Sequence, residues 1–234
     1  MSTLKNIKLA HTEYNDIVPS TKAAIKFRPF RVSEEKMLLI ASESKDTQQM
    51  SNAMKSIINN CAGVECDTLP FYDVEYLFTK IRSKSVGENV NITYPCEKCD
   101  QENELAIELD KVYVSKNTNE SNEIKIDDDL VFVLVEPTIG MMALHNPDEV
   151  EIENIINMLA NGISQVQNGE EIIDVTPKDV PDIKALIEQL TSEQFKKLSD
   201  YYENIPKTSL DYEFTCSKCS TINKSTLTGM QNFF

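Results

Sequence analysis

The feature that most constrains this chain is a C-x-K-C motif that occurs twice, with 116 residues between the two copies. Alternating polar and apolar residues flank both copies, a pattern typical of a β-hairpin with the motif at its tip. A structural zinc ion takes four ligands, and one C-x-x-C pair supplies two thiolates at about 2.3 Å from the metal. We therefore expect Cys96, Cys99, Cys216 and Cys219 to bind one structural zinc ion in a shared, zinc-ribbon-like site.

Two other interpretations of these pairs stay open. A thioredoxin-type redox pair lies at the N-terminus of a helix, where the helix dipole lowers the thiol pKa, whereas strand patterns flank both pairs here. Plain thiols in metal-free hairpins are the third interpretation. The remaining cysteines, Cys61 and Cys66, are expected to be small buried apolar residues. The chain has no apolar run as long as a signal peptide or a membrane span, so we expect a soluble cytosolic protein, in which disulfides are disfavoured.

Local signals predict several helices. Ser33, followed by Glu34 and Glu35, is typical of an N-cap and an acidic first turn. A second helix is predicted over residues 48–59, and a third starts near Pro70 and ends near residue 85. Later helix candidates are residues 138–145, 150–160, 182–190 and 192–204. Residues 163–175 predict a small hairpin that turns at Asn168 and Gly169.

The order of strand, helices and hairpin recurs on both sides of a polar segment, residues 115–123, which is predicted to be a linker. With the cysteines superposed, the apolar strand positions and one asparagine coincide: Val90, Ile92, Tyr94, Asn103 and Ile107 fall on Leu210, Tyr212, Phe214, Asn223 and Leu227. We interpret this as an internal duplication. It predicts an α+β fold of two similar lobes, residues 23–118 and 119–234, each with helices and a β-hairpin zinc knuckle, after an extended segment of residues 1–22. Two unrelated hairpins that converged on the same motif are the alternative.

The net charge argues against a nucleic-acid-binding surface. The chain has 38 acidic and 23 basic residues, a formal net charge of −15, and only three arginines. Proteins that bind phosphate backbones depend on clustered lysine and arginine. A well-solvated acidic surface is the simplest interpretation, and a preference for a basic partner is a weaker one.

No set of residues indicates catalysis. The two histidines, His11 and His145, do not accompany a nucleophile motif, and phosphate-binding and metalloprotease motifs are absent from the sequence. Acidic runs at residues 127–129 and 149–153 lack the spacing of a calcium-binding loop. We therefore assign no catalytic residue and expect a non-enzymatic protein. The terminal Phe233 and Phe234 are expected to pack on the core or on a partner.

Several stretches resemble a known family. They are residues 19–44 (PSTKAAIKFRPFRVSEEKMLLIASES), residues 73–88 (DVEYLFTKIRSKSVGE), the YPCEKC and FTCSKC knuckles, and the closing G-x-x-x-F-F. Together they resemble the baseplate hub assembly proteins of T-even-type contractile-tail phages. The similarity is strongest in the first half, and residues 150–204 carry no matching motif.

The resemblance implies a phage morphogenesis protein without catalytic residues, either a chaperone-like assembly factor or a component of the central hub of the tail baseplate. Its implied partners are other phage hub or tail proteins, with no nucleic acid and no membrane, and the oligomeric state is not indicated. Its implied location is the host cytoplasm during assembly, with the virion tail baseplate as the alternative. The competing hypothesis is a zinc-ribbon nucleic-acid or polymerase accessory protein, which would carry basic residues around its knuckles, whereas Glu97, Asp100 and Glu213 lie there in this chain.

Overall fold

Helices and strands both contribute to the fold of this protein, as the sequence predicts. The structure is a computed structural model, and it describes residues 10–44, 46–146 and 148–229. The strands are β1 (Tyr14–Ile17), β2 (Ala24–Phe27), β3 (Asn89–Pro95), β4 (Glu102–Glu108), β5 (Tyr113–Val114), β6 (Glu123–Lys125), β7 (Leu130–Leu134), β8 (Ile163–Asn168), β9 (Glu171–Asp174), β10 (Thr208–Thr215) and β11 (Ile222–Thr228). The helices are α1 (Val32–Ser44), α2 (Thr47–Ala62), α3 (Phe71–Ser85), α4 (Ile139–Met142), α5 (Glu151–Gly162), α6 (Val180–Ile187) and α7 (Ser192–Glu203).

All strand pairs of the described residues are antiparallel. They form the β1-β2 and β3-β4 hairpins, a three-stranded sheet in the order β11-β10-β5, and a four-stranded sheet in the order β6-β7-β8-β9. The β8-β9 hairpin turns at Gly169 and Glu170, one residue later than predicted, because Asn168 is still paired with Glu171. Gly169 has a φ of +59°, a left-handed conformation that glycine adopts without steric cost. Two of the hairpins, β3-β4 and β10-β11, carry the C-x-K-C motifs at their tips.

The first hydrophobic cluster packs α2 and α3 against the β1-β2 hairpin. Asp46 caps α2 because its side chain accepts hydrogen bonds from the backbone N–H groups of Gln48 and Gln49, and Gly63 ends the helix in a left-handed conformation. The buried members of this cluster are Val18, Phe27, Met54, Ile57, Ile58, Cys61, Cys66, Val74, Leu77, Phe78, Ile81 and Ile139. Cys61 and Cys66 therefore lie in the core, as small apolar residues do.

A second cluster lies between the four-stranded sheet and helices α5, α6 and α7. Helix α7 starts at a capping box in which Thr191 and Gln194 exchange side-chain hydrogen bonds with each other's backbone N–H groups. The buried members are Ile126, Phe132, Leu134, Leu159, Ala160, Ile163, Val166, Ile183, Ile187, Leu198, Tyr201 and Tyr202.

The third cluster joins the two cysteine-bearing hairpins. Its buried members are Ile107, Leu109, Val112, Leu210, Tyr212, Phe214 and Leu227. The rings of Tyr94 and Tyr212 meet edge to face with centroids 5.1 Å apart, a geometry that aromatic pairs favour. The apolar faces predicted for the two hairpins thus bury each other, and this packing brings the two knuckles together.

Two local features differ from the sequence-based expectations. Ser33 is not the N-cap of the first helix, because α1 already begins at Val32 and the backbone carbonyl of Arg31 accepts from the N–H of Glu34. The boundary placed at residue 22 falls in the turn of the β1-β2 hairpin, where the N–H of Val18 donates to the carbonyl of Ala23 at 2.9 Å. The first helix starts earlier because the Glu34 side chain accepts from the N–H of Arg31, and the hairpin crosses residue 22 because β1 pairs with β2 around a short turn.

The predicted linker, residues 115–123, has no regular secondary structure before β6, but it is hydrogen-bonded to the rest of the protein. Its backbone and side chains bond to the end of α7 and to β7: the N–H of Thr118 donates to the carbonyl of Asn204 at 3.1 Å, and Asn119 Nδ2 donates to the carbonyl of Tyr201 at 2.9 Å. Asn122 Nδ2 donates to the carbonyl of Leu134 at 2.9 Å. The polar composition of this segment therefore serves backbone groups that would otherwise lack partners.

Candidate metal centre

The two knuckles share one backbone conformation. In the first, the N–H of Cys96 donates to the carbonyl of Gln101 at 2.9 Å, and the N–H of Asp100 donates to the carbonyl of Cys96 at 2.9 Å. In the second, the equivalent bonds join Cys216 with Thr221 and Ser220 with Cys216, at 2.9 and 3.0 Å. Asp100 and Ser220 occupy the same turn position with φ of +54° and +56°. Both tips are thus the same tight turn with one residue in the left-handed region.

The turns bring all four sulfur atoms together. The Sγ atoms of Cys96 and Cys219 are 3.6 Å apart, those of Cys99 and Cys216 are 3.7 Å apart, and those of Cys99 and Cys219 are 3.5 Å apart. All four lie within 4.8 Å of one another. A tetrahedron with metal–sulfur bonds of about 2.3 Å has sulfur–sulfur edges of about 3.8 Å, so the cluster has the size of a four-thiolate metal site. Disulfide bonds, with sulfurs about 2.05 Å apart, do not fit these distances.

Backbone N–H groups approach the sulfurs and influence their ionisation. Thr221, through its side chain and its N–H, lowers the pKa of Cys219 to about 6, and the N–H groups of Cys219 and Lys218 lower the pKa of Cys216. The N–H of Gln101 lowers the pKa of Cys99, but desolvation and the neighbouring thiols outweigh it and raise that pKa to about 12. Hydrogen-bond donors thus favour the thiolate forms of Cys216 and Cys219, whereas the neighbouring thiols disfavour ionisation of Cys99.

Two of the four cysteines, Cys96 and Cys216, are withdrawn from solvent, and two, Cys99 and Cys219, are partly exposed. Four protein sulfurs complete a tetrahedron and leave no position for a water or a substrate, which is the arrangement of a structural metal centre. Zinc, if bound, would stabilise the pairing of two hairpins and supply no chemistry to a substrate.

Two asparagines connect the knuckles, and the sequence analysis assigned no role to them. Asn103 Oδ1 accepts from the N–H of Ser217 at 3.0 Å, and Asn223 Oδ1 accepts from the N–H of Glu97 at 3.0 Å. Each asparagine thus reaches from its own hairpin to the turn of the other. The signal that could have found them was their coincidence when the cysteines were superposed.

The other candidate residues stay apart from this cluster. Burial raises the pKa of Cys61 to about 11 and that of Cys66 to about 12, so both are protonated, unreactive thiols at neutral pH. His11 accepts a hydrogen bond from Arg31 Nε at 3.1 Å, and His145 is exposed. Asp127 Oδ1 accepts from the N–H groups of residues 129 and 130, so the acidic run forms a local turn.

Comparison with protein families identifies the chain. The family model described as T4 bacteriophage base plate protein matches residues 10–234, which include both hairpins and all three hydrophobic clusters. The chain belongs to this T4-type phage base plate family. No curated protein and no solved structure matches this base plate protein.

Membership of the family indicates a structural role in the phage tail baseplate and contacts with other tail proteins. None of the helices in the described residues of this base plate protein has the length and apolar character needed to cross a membrane. Phe233 and Phe234, which were expected to pack on the core or on a partner, lie outside the described residues.

Proposed function

We propose that this base plate protein is a non-enzymatic component or assembly factor of the central hub of the tail baseplate. The observation that carries the proposal is the family match over residues 10–234. The hub-specific part rests on the resemblance of residues 19–44 and 73–88 to hub assembly proteins. In the structure, these stretches form β2, α1 and α3. Strand β2 and helix α3 supply buried residues of the first hydrophobic cluster, and α1 packs against it through Leu38.

We further propose that Cys96, Cys99, Cys216 and Cys219 bind one structural zinc ion. The sulfur–sulfur distances, the donors near the sulfurs and the burial of Cys96 and Cys216 support this assignment. Thiolate sulfur binds zinc in preference to harder divalent cations such as magnesium and calcium, which favour oxygen ligands. The ion would clip together two hairpins that are more than a hundred residues apart in the chain.

The duplication and the division into residues 23–118 and 119–234 belong to the same proposal. The identical hydrogen bonding of the two knuckles and the equal registers of the two hairpins support a common origin of the hairpins. In β3-β4, Val90 pairs with Ile107, and in β10-β11, Leu210 pairs with Leu227. The rest of the two halves differs, since α2 and α3 dominate the first cluster, whereas the second lies between a four-stranded sheet and helices α5, α6 and α7.

The metal assignment has a direct test in elemental analysis of gently purified protein. We expect about one zinc per chain. Cys96→Ser should abolish this stoichiometric binding, and the matched control Cys61→Ala, which alters a buried cysteine outside the cluster, should retain it. Two ions per chain, or none, would contradict a single shared site.

The hub assignment is tested by affinity purification from phage-infected cells, followed by mass spectrometry. We expect tail baseplate and hub proteins to be recovered with the intact chain, and nuclease treatment should not reduce their recovery. Recovery of polymerase or other nucleic-acid-processing proteins, lost on nuclease treatment, would favour the accessory-protein hypothesis instead.

A further inference from the structure

Asn103 and Asn223 make matching contacts on the two hairpins. Asn103 lies on β4 opposite Tyr94, and Asn223 lies on β11 opposite Phe214. Each donates from Nδ2 to the carbonyl two residues earlier in its own knuckle, Asn103 to Gln101 at 2.7 Å and Asn223 to Thr221 at 3.0 Å. The same amide therefore tightens the turn that carries the second cysteine of its hairpin.

The oxygen of each amide serves the opposite hairpin. Its donors are the N–H groups of Glu97 and Ser217, the residues that directly follow Cys96 and Cys216, and Ser217 also donates from Oγ to Asn103 at 3.0 Å. Reversing either amide would place an NH₂ group against an N–H and an oxygen against a carbonyl, so the contacts select one orientation. The result is a reciprocal pair of hydrogen bonds across the interface of the knuckles.

Both asparagines are withdrawn from solvent, with exposed fractions of 7% for Asn103 and 4% for Asn223. Buried amides are costly unless they are hydrogen-bonded, and here each has partners on both its oxygen and its nitrogen. Asn103 Nδ2 also lies 4.0 Å from Cys216 Sγ. The closer partners, at 3.0 Å or less, are backbone groups and the Ser217 hydroxyl, so these hydrogen bonds do not require a bound ion.

We propose that Asn103 and Asn223 are positioning residues that hold the two knuckles face to face before a metal ion binds. This inference rests on the proposed metal-binding role of the four cysteines. A site that is already assembled loses less conformational freedom on binding than one that forms only around the ion, so its affinity is higher. Packing of Tyr94 on Tyr212 brings the hairpins together, and the amide pair sets the register in which their sulfurs converge.

The first test is amide hydrogen exchange on the full-length chain after chelation of metal. We expect the N–H groups of Glu97 and Ser217 to be protected from exchange in the metal-free wild type. Asn103→Ala should remove the protection of Ser217, and Asn103→Asp should restore it because the carboxylate keeps an acceptor at the same place. Free exchange at both positions in the metal-free wild type would overturn the proposal, whatever the metal affinity.

The second test is titration of the metal-free chain with Co²⁺, followed through the visible absorption of the tetrahedral thiolate complex, with Zn²⁺ as competitor. Loss of outer-shell partners weakens metal sites about 10–100-fold, and we expect a loss of this size for Asn103→Ala and for Asn223→Ala. The matched control is Asn91→Ala, which removes an exposed asparagine of the same hairpin and should leave the affinity unchanged.

The outcomes separate the two proposals. Equal affinities and equal spectra for wild type and both alanine variants would overturn the positioning role while the metal site stands. No tetrahedral complex with the wild type would overturn the metal site, and exchange at Glu97 and Ser217 would still decide whether the amide pair holds the knuckles together.

Discussion

At the residue scale, one ion pair between a partly buried arginine and a buried glutamate organises the start of α1. Arg28 Nη2 lies 2.7 Å from Glu34 Oε1, and the N–H of Arg31 donates to Glu34 Oε2 at 2.5 Å. Arg28 also donates to the carbonyl of Asn60 at 3.1 Å, which links α1 to the end of α2. Burial alone would raise the pKa of Glu34, but the hydrogen bonds from Arg28 and Arg31 outweigh it and lower the pKa.

Glu34→Gln is expected to lower the free energy of unfolding by about 1–3 kcal/mol, because it removes the charged acceptor of the hydrogen bonds from the partly buried Arg28 and from the N–H of Arg31. Since the folded-state pKa of Glu34 is lowered, the stability it contributes is complete above its unfolded pKa of about 4.3 and is lost as the pH falls through the folded value. Urea unfolding at pH 7 and pH 3 measures this. The control Glu35→Gln, which alters an exposed neighbour, should change the free energy of unfolding little. If the difference in stability between wild type and Glu34→Gln is as large at pH 3 as at pH 7, the stabilising role of the Glu34 carboxylate is contradicted.

Gly162, at the end of α5, permits a close approach of Tyr202. A Cβ at this position would lie 1.7 Å from Tyr202 Oη and 2.9 Å from Tyr202 Cζ. The tyrosine is itself held because its Oη donates to the carbonyl of Val135 at 3.1 Å. Substitution at Gly162 must therefore displace a buried ring rather than a flexible side chain.

Gly162→Ala is expected to destabilise the protein by about 1–3 kcal/mol or more, as overpacking of a buried site does. Thermal unfolding monitored by circular dichroism measures it. Gly140→Ala is the matched control, because a Cβ there meets only Thr138 Oγ1 at 3.7 Å, an ordinary contact. Equal melting temperatures for the two variants would show that the Tyr202 ring yields without cost.

At the element scale, the β3-β4 and β10-β11 hairpins are equal partners. They have seven-residue antiparallel registers, matching turns and a shared hydrophobic cluster. A metal ion held by both would close a loop of more than a hundred residues, so its binding free energy would appear as stability of the folded state. Loss of a cysteine from either hairpin should then lower the stability of the folded state to a similar extent.

Cys96→Ser and Cys219→Ser are expected to lower stability by several kcal/mol each and by similar amounts, because each removes one of four ligands of the same ion. Denaturant unfolding in the presence of zinc, with Cys61→Ala for comparison, provides the measurement. Retention of full zinc content by Cys96→Ser together with loss in Cys216→Ser would show that the two knuckles do not share an ion.

At the scale of the whole molecule, the net charge is −15, and the surface around the knuckles is likewise acidic. The two cysteine-bearing hairpins expose seven acidic and three basic residues: Glu97, Asp100, Glu102, Glu104, Glu108, Asp211 and Glu213, against Lys98, Lys218 and Lys224. Lys224 is in turn paired with Glu213 at 2.6 Å. This surface is the opposite of the basic stripe that phosphate binding requires.

We therefore expect no measurable complex with duplex DNA or single-stranded RNA at about 0.15 M salt, because few phosphates could be neutralised. Fluorescence anisotropy with labelled oligonucleotides measures this. The test should use the zinc-loaded protein, so that an unfolded knuckle cannot explain a negative result. Salt-sensitive binding in the micromolar range would contradict the proposed hub function and favour a nucleic-acid accessory role.

Sequence alone determined the features that depend on short-range chemistry. The two-residue spacer of each C-x-K-C motif predicts two thiolates at a hairpin tip, and alternation of Leu210, Tyr212 and Phe214 predicts a strand with one apolar face. Helix starts and ends were found to within a few residues where a capping group or glycine lies next to the helix. The family resemblance also came from such local stretches, and the family match confirms it at the level of the T4-type base plate protein.

Tertiary structure alone decided what joins distant parts of the chain. The bonds from Asn103 to Ser217 and from Asn223 to Glu97 span more than a hundred residues, and the capping of α1 by Glu34 depends on an arginine that also contacts the end of α2. Asparagine and glutamate in these positions look like ordinary polar residues, since the sequence shows neither their burial nor their partners. Their roles exist because packing excludes water from them, and an excluded polar group must find its partner within the protein.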